Sequence, residues 1–270
     1  MNNIFFYNHD ILAKTSINVL CDSIITTQDQ FKCLFSTKDI LFEKHKGVSV
    51  VQNAISYFLH DLKKEGLEKQ ITIKKREIEL QINKKTKEIA EIAAKKIKNN
   101  SCVFVHSINN QIFEILLQAS NYKKFEVNLV KHDPFNIENQ FTLKLKNKNI
   151  KYNVFPDLAI EQAIEHSDVC FIGTESILKN KDAIVKTGTN VATNLAKKHN
   201  TPTYLCAHSW KFDFHNTSKQ LLNHTIGKQP IKAFERIKHE QIESYIIESG
   251  IFKPKQAIHE IKYFNKWMRL

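Results

Sequence analysis

The apolar positions change their spacing near residue 100. Over residues 47–62, GVSVVQNAISYFLHDL, they recur at helical intervals, and the charged stretch 67–99 places isoleucines at 71, 78, 82, 89 and 92 close to the same spacing. The local alternations ITI and IELQI suit a strand, but the length of the segment favours a helix. From residue 101 onward, β-rich runs at 102–106, 125–131, 150–155, 168–173 and 203–207 alternate with helical candidates near 109–121, 136–147, 157–166 and 189–199. Apolar strands separated by amphipathic helices predict an α/β fold with a mainly parallel, Rossmann-like sheet covered by helices on both faces. The expected organisation is a helical N-terminal domain over residues 1–100 and a Rossmann-like α/β domain over 101–270. Proline placement agrees: Pro134, Pro156, Pro202, Pro230 and Pro254 all lie in the second half, which leaves the front free to be helical.

Composition narrows the class. With 270 residues, 42% hydrophobic and 25% charged, the chain sits in the globular range, outside the disordered and disulfide-scaffold classes. Its five cysteines are an odd number without CxxC or zinc-type spacing, which fits a reduced compartment and supports no metal site. MNNIFFYNHD has no basic signal-like region, and no stretch approaches a membrane span, so a cytoplasmic location is the expectation. The net charge of +12 first suggests a polyanion partner. However, Arg76, Arg236 and Arg269 are the only arginines, and residues 1–100 hold 17 basic against 12 acidic groups, so no basic block stands apart along the chain. Arginine is the side chain that reads guanine edges, and its scarcity argues against sequence-specific nucleic-acid recognition; a nucleic-acid partner is not expected.

In a parallel α/β sheet the ligand site lies beyond the carboxyl ends of the strands. That rule points to His106-Ser107, Lys131-His132-Asp133, Gly173-Thr174-Glu175 and His208-Ser209. No dinucleotide or nucleoside-triphosphate fingerprint follows these strands, so no cofactor is implied. Lys186-Thr187-Gly188-Thr189-Asn190, just ahead of a helix, offers free amides, a small residue and a lysine, the makings of a phosphate seat. The same residues equally read as a helix N-cap, Thr189 or Asn190, beside a surface lysine. Ser107 reads first as an N-cap, His132 and Asp133 ahead of Pro134 as turn residues, and Cys170 and Cys206 as core.

The segment DVCFIGTESILKNKDAIVKTGTNVATNLAKKHNTPTYLCAHSWKFD resembles the core signature of the aldose–ketose isomerases of ribose 1,5-bisphosphate and methylthioribose 1-phosphate. It equally resembles their non-catalytic relatives, the alpha, beta and delta regulatory subunits of initiation factor 2B. The matching elements are Gly173-Thr174-Glu175, Val185-Lys186-Thr187-Gly188-Thr189, Lys211-Phe212 and the closing IESYIIESGIFKPKQAI, so the likeness is strong over 101–258 and weak over 1–100. It implies a sugar-phosphate pocket lined by Gly173, Thr174, Lys186, Thr187, Gly188, Thr189, Asn190, His208 and Lys211. It also implies a homodimer formed through the α/β domain and a translation-factor or other protein partner.

The departures matter as much. The family's catalytic cysteine follows a Thr-His pair, and the matching run here, Val105-His106-Ser107, ends in serine. A serine hydroxyl needs a positioned base, and His106 should point to the opposite face of its strand. Cys102 lies roughly 16 Å back along that strand and cannot stand in. The family's acid/base aspartate is Glu175, its asparagine is Val185, and its front-domain arginine clamps are missing, since no arginine precedes Arg76. A displacement of about 1 Å can cost on the order of a hundredfold in rate. Gly-Thr-Glu and Gly-Thr-Asn resemble the alpha subunit's motifs, which favours a non-catalytic regulatory protein. The alternative is a divergent isomerase with Glu175 as acid/base, Ser107 assisting, and Lys186 with the Gly188 amides holding phosphate.

Overall fold

A computed structural model describes residues 8–24, 29–132, 138–226, 230–265 and 267. The front is helical: α1 (His9–Ser23), α2 (Gln30–Lys44), α3 (Ser49–Leu59) and α4 (Leu67–Ala94). The alternating ITI and IELQI runs fall inside α4, whose buried Ile71, Ile78, Ile82 and Ile89 form one helical stripe. Two helices, α1 and α2, lack a signal in the apolar spacing. Their caps announce them instead, because the Asn8 side chain accepts from the Asp10 amide and Asp29 accepts from Lys32.

Beyond residue 100 the chain runs β1 (Ser101–His106), α5 (Asn110–Ser120), β2 (Phe125–Val130), α6 (Glu138–Asn147), β3 (Lys151–Phe155), α7 (Ile160–Glu165) and β4 (Val169–Gly173). There follow β5 (Ser176–Leu178), β6 (Ala183–Lys186), α8 (Thr189–Lys198), β7 (Thr203–Cys206) and β8 (Phe212–Asp213). The last elements are β9 (Thr225–Ile226), β10 (Ile231–Lys232), β11 (Phe234–Ile237), β12 (Ser244–Ile247), β13 (Gly250–Phe252) and α9 (Pro254–Phe264). The large sheet has the order β13-β12-β7-β4-β1-β2-β3 and is parallel except for its last pair, β12 with β13. All five strands expected from the pattern lie in it, and it is the α/β sheet the alternation predicts. Strand order reverses between β1 and β4, so the switch point lies at His106 and Gly173.

A second sheet, β11-β6-β5-β8, is absent from the sequence reading. It projects the chain between β4 and α8 as a short antiparallel ribbon. One apolar cluster joins it to the front helices, with Ile17, Leu20, Ile55 and Phe58 packing alongside Ile177, Ile184, Phe212 and Phe234. Polar contacts tie the same seam: Asn53 donates to the carbonyls of Trp210 and Phe212 at 2.7 and 2.8 Å, and the Ser49 and Ser176 hydroxyls lie 2.7 Å apart. The seam is what carries α1 over the carboxyl ends of the strands. Among the described residues no helix is long and apolar enough to cross a membrane.

Candidate functional site

The strand-end residues converge. Glu175, the second residue past β4, is 4% exposed. Its Oε1 lies 3.4 Å from the Lys186 ammonium at the end of β6, and its Oε2 lies 2.8 Å from His9 Nδ1 on α1. Lys186 Nζ also donates to the Ile108 carbonyl at 2.6 Å, and Lys211 Nζ donates to the Thr174 carbonyl at 2.8 Å. His208 Nε2 meets Asp10 Oδ1 at 2.9 Å, a second contact from α1. The result is a water-poor cluster in which two lysines and two histidines face two carboxylates. Neither His9 nor Asp10 drew notice in the sequence, because their partners lie more than 160 positions away; the Asn8 cap was the one available signal.

Electrostatics follow from that packing. Burial pushes the Glu175 carboxyl up, but His9 and Lys186 beside it outweigh burial and hold it well below the usual carboxylate range. Asp10 is treated alike: burial raises it, and His208 and Lys211 pull it far lower. Burial lowers Lys186, with Glu175 partly restoring it and Lys211 lowering it further. The carboxylate is thereby favoured in its charged form, balanced by the cations that surround it.

Ser107 and the residues of the expected phosphate seat take other roles. Ser107, with a left-handed backbone at φ 48°, accepts from the Lys186 amide at 3.0 Å and caps no helix; Asn109 caps α5 by accepting from Ile112. Gly173 is required where it stands, since a Cβ there would lie 2.2 Å from the Ser107 carbonyl oxygen and 2.7 Å from Asn109 Nδ2. The N-cap of α8 is Gly188, at φ 93°, rather than Thr189 or Asn190. Thr187 donates to the Lys232 carbonyl at 2.6 Å, and Thr189 donates to that of Lys186. The amides that open α8 already hold an anion from within the chain. Glu235 on β11 accepts from the Asn190 amide at 2.7 Å; burial raises its carboxyl, and the Asn190, Gly188 and Thr189 amides partly oppose that. It lies at the same amides that the sequence reading assigns to phosphate.

Behind these residues, His106 Nδ1 lies 2.9 Å from the Thr189 hydroxyl, and its ring sits 4.7 Å from that of His132. Burial drives both imidazoles down, His106 well below its ordinary value and His132 to about 4. The turn expected at Asp133-Pro134 lies outside the described residues. Cys102 is far off at the start of β1, where burial raises its thiol. Asp182, His239 and Glu240 could offer a cation an imidazole and two carboxylates. Asp182, however, already accepts from Asn180 at 2.8 Å and has the Arg236 guanidinium 3.5 Å away, a cation on the same carboxylate.

Comparison with known proteins bears on the fold and the family. Translation initiation factor eIF2B subunit alpha of Dictyostelium discoideum is 27% identical over 121 residues, 44% of this chain and 38% of that protein. The delta subunit of the same organism is 21% identical over 192 residues, 71% of this chain and 30% of its own length. The matched stretches thus span well under two thirds of either relative. Among solved structures, translation initiation factor eIF-2B of Pyrococcus horikoshii OT3 shares the fold with a TM-score of 0.81 at 17% identity, covering 92% of each chain. A chain of the tetrameric eIF2B-beta2-delta2 complex from C. thermophilum superposes with a TM-score of 0.74 at 14% identity, over 95% of this chain and 88% of that one. Residues 24–266 match the model of the initiation factor 2 subunit family, and to that family this chain belongs.

Proposed function

We propose that the protein is a non-catalytic subunit of the initiation factor 2B type, with a regulatory or protein-interaction role and a relict sugar-phosphate pocket that its own side chains fill. The observation that carries this reading is the placement of Glu175, buried and bound by His9 and Lys186 at the position of the isomerases' acid/base. Two further facts support it. Ser107, at the position of the isomerases' cysteine, spends its hydroxyl on a backbone amide, and Glu235 holds the α8 amides that a phosphate would need. The similarity to chains that assemble in a tetrameric complex supports pairing through the α/β domain, which we assign as a homodimer here.

The test is a direct assay. Incubated with ribose 1,5-bisphosphate or methylthioribose 1-phosphate, the purified protein yields no ketose product, and light scattering on the same sample gives twice the monomer mass. Ketose formation that disappears in Glu175→Gln would overturn the reading in favour of an isomerase, whatever the oligomeric state.

A further inference from the structure

We propose that the amino-terminal end of the large sheet, opposite the buried cluster, carries a groove that binds single-stranded nucleic acid through its phosphate backbone. Because β1, β2 and β3 run parallel, their starting ends open on one edge of the molecule. There the chain forms a groove of about 850 Å³ whose lining includes Lys123, Lys124, Lys148 and Lys151. Lys123 and Lys124 lie just before β2, Lys148 just before β3 and Lys151 at the first position of β3, with Lys98, four residues past the end of α4, close by. Lys98 is joined through the Ser101 hydroxyl, which donates to its carbonyl, and through the Asn100 amide, which donates to the Lys124 carbonyl. Along the sequence they are scattered. Parallel topology gathers them, and for that reason the charge distribution read along the chain conceals the patch.

The acidic groups of the groove leave it positive. Asp168 accepts from the Cys102 amide at 2.8 Å, and Glu126 faces Lys151 at 3.6 Å. Lys123 Nζ caps the end of α4 by donating to the carbonyls of Ala94 and Ile97. Among the described residues no carboxylate lies within 4.0 Å of the Lys98, Lys124 or Lys148 ammonium. Tyr122 does not line the groove but lies in sequence between its lining residues Ser120 and Lys123; it is 78% exposed and presents an aromatic ring to solvent.

Cations that track a backbone beside an exposed ring form a platform for single strands, because phosphate meets the charge and a base stacks on the ring. Lysine in place of arginine makes point contacts with phosphate and reads no base edges, so binding is indifferent to sequence. An acidic peptide fits less well. The apolar lining residues Phe125 and Ile150 are 7% and 5% exposed and offer a peptide side chain little surface to pack on.

Fluorescence polarisation of the full chain with a labelled twelve-residue oligouridine tests this. About three phosphate contacts give a logarithmic salt slope near −2, so affinity falls roughly tenfold or more between 50 and 200 mM KCl. Lys124→Glu with Lys148→Glu weakens binding about tenfold or more, Tyr122→Ala about fivefold, and the charge-matched pair Lys63→Glu with Lys69→Glu less than about twofold. Circular dichroism keeps the comparison to folded samples. Equal losses in the two charge-reversed pairs, or no binding at 50 mM KCl, would overturn the proposal. So would poly-glutamate binding as tightly while Tyr122→Ala has no effect, which would reassign the groove to an acidic polypeptide.

Discussion

Glu175→Ala is expected to cost about 3–5 kcal/mol of folding stability, read from urea denaturation at neutral pH. The variant leaves the Lys186 ammonium, which is 5% exposed, without the carboxylate 3.4 Å away, and it leaves His9 without its contact at 2.8 Å. A charge stranded in a dry site pays the whole desolvation penalty, and this is why removing one member of a buried pair hurts more than removing both. The double replacement Glu175→Leu with Lys186→Met should therefore recover much of the loss, although His9 stays unpaired. A loss below about 1 kcal/mol in the single variant would mean that water enters the pocket and that the carboxylate is solvated, the condition a working sugar-phosphate site requires.

Acidification should destabilise the protein in two stages, and the histidines act first. His106 and His132 are buried and neutral, with pKa values below the ordinary 6.5, His132 at about 4. For His132, Lys186 adds to the burial effect and Asp157 opposes it. The unfolded chain therefore takes up protons as pH falls through about 6.5 while the folded chain does not, and stability drops with pH. His132 alone accounts for about 2 kcal/mol between pH 7 and pH 5, with His106 acting in the same direction. The second stage belongs to Asp10 and Glu175. Their folded pKa values lie below those of the unfolded chain, so the stability they contribute is present above about pH 4 and is lost below it. Urea midpoints measured from pH 7.5 to 5 should fall steadily, and His132→Gln should flatten the slope. A midpoint that stays constant over that range would show that the two imidazoles are solvated.

The parts of the fold that could be read from the sequence are those whose burial repeats along the chain. Strands β1, β2, β4 and β7 are apolar runs because helices cover both faces, and α4 shows its isoleucine stripe through 28 residues. The second sheet could not be read, since β5 has three residues and β8 two, too few for a period to declare itself. The same division holds for the site. Glu175, Lys186, His208 and Lys211 could be found because strand ends in a parallel sheet point to one place. His9, Asp10 and Glu235 could not, because what makes them part of the cluster is contact across the fold, and no local pattern records it. The contact at the start of α8 is hidden for a related reason: free amides attract an anion, but the local sequence cannot show that a carboxylate 45 positions beyond Asn190 reaches them.

The α1 contacts also set a timetable for the growing chain. Asp10 and His208 are separated by 198 residues, so at roughly 5–20 residues per second the ribosome makes the first about 10–40 s before the second. The apolar side of α1 meets α3 early, whereas its charged tip waits in water for the β7 end to be made. Closure over the strand ends is thus a late event in each molecule, and a nascent chain carries Asp10 open to solvent until His208 has been made.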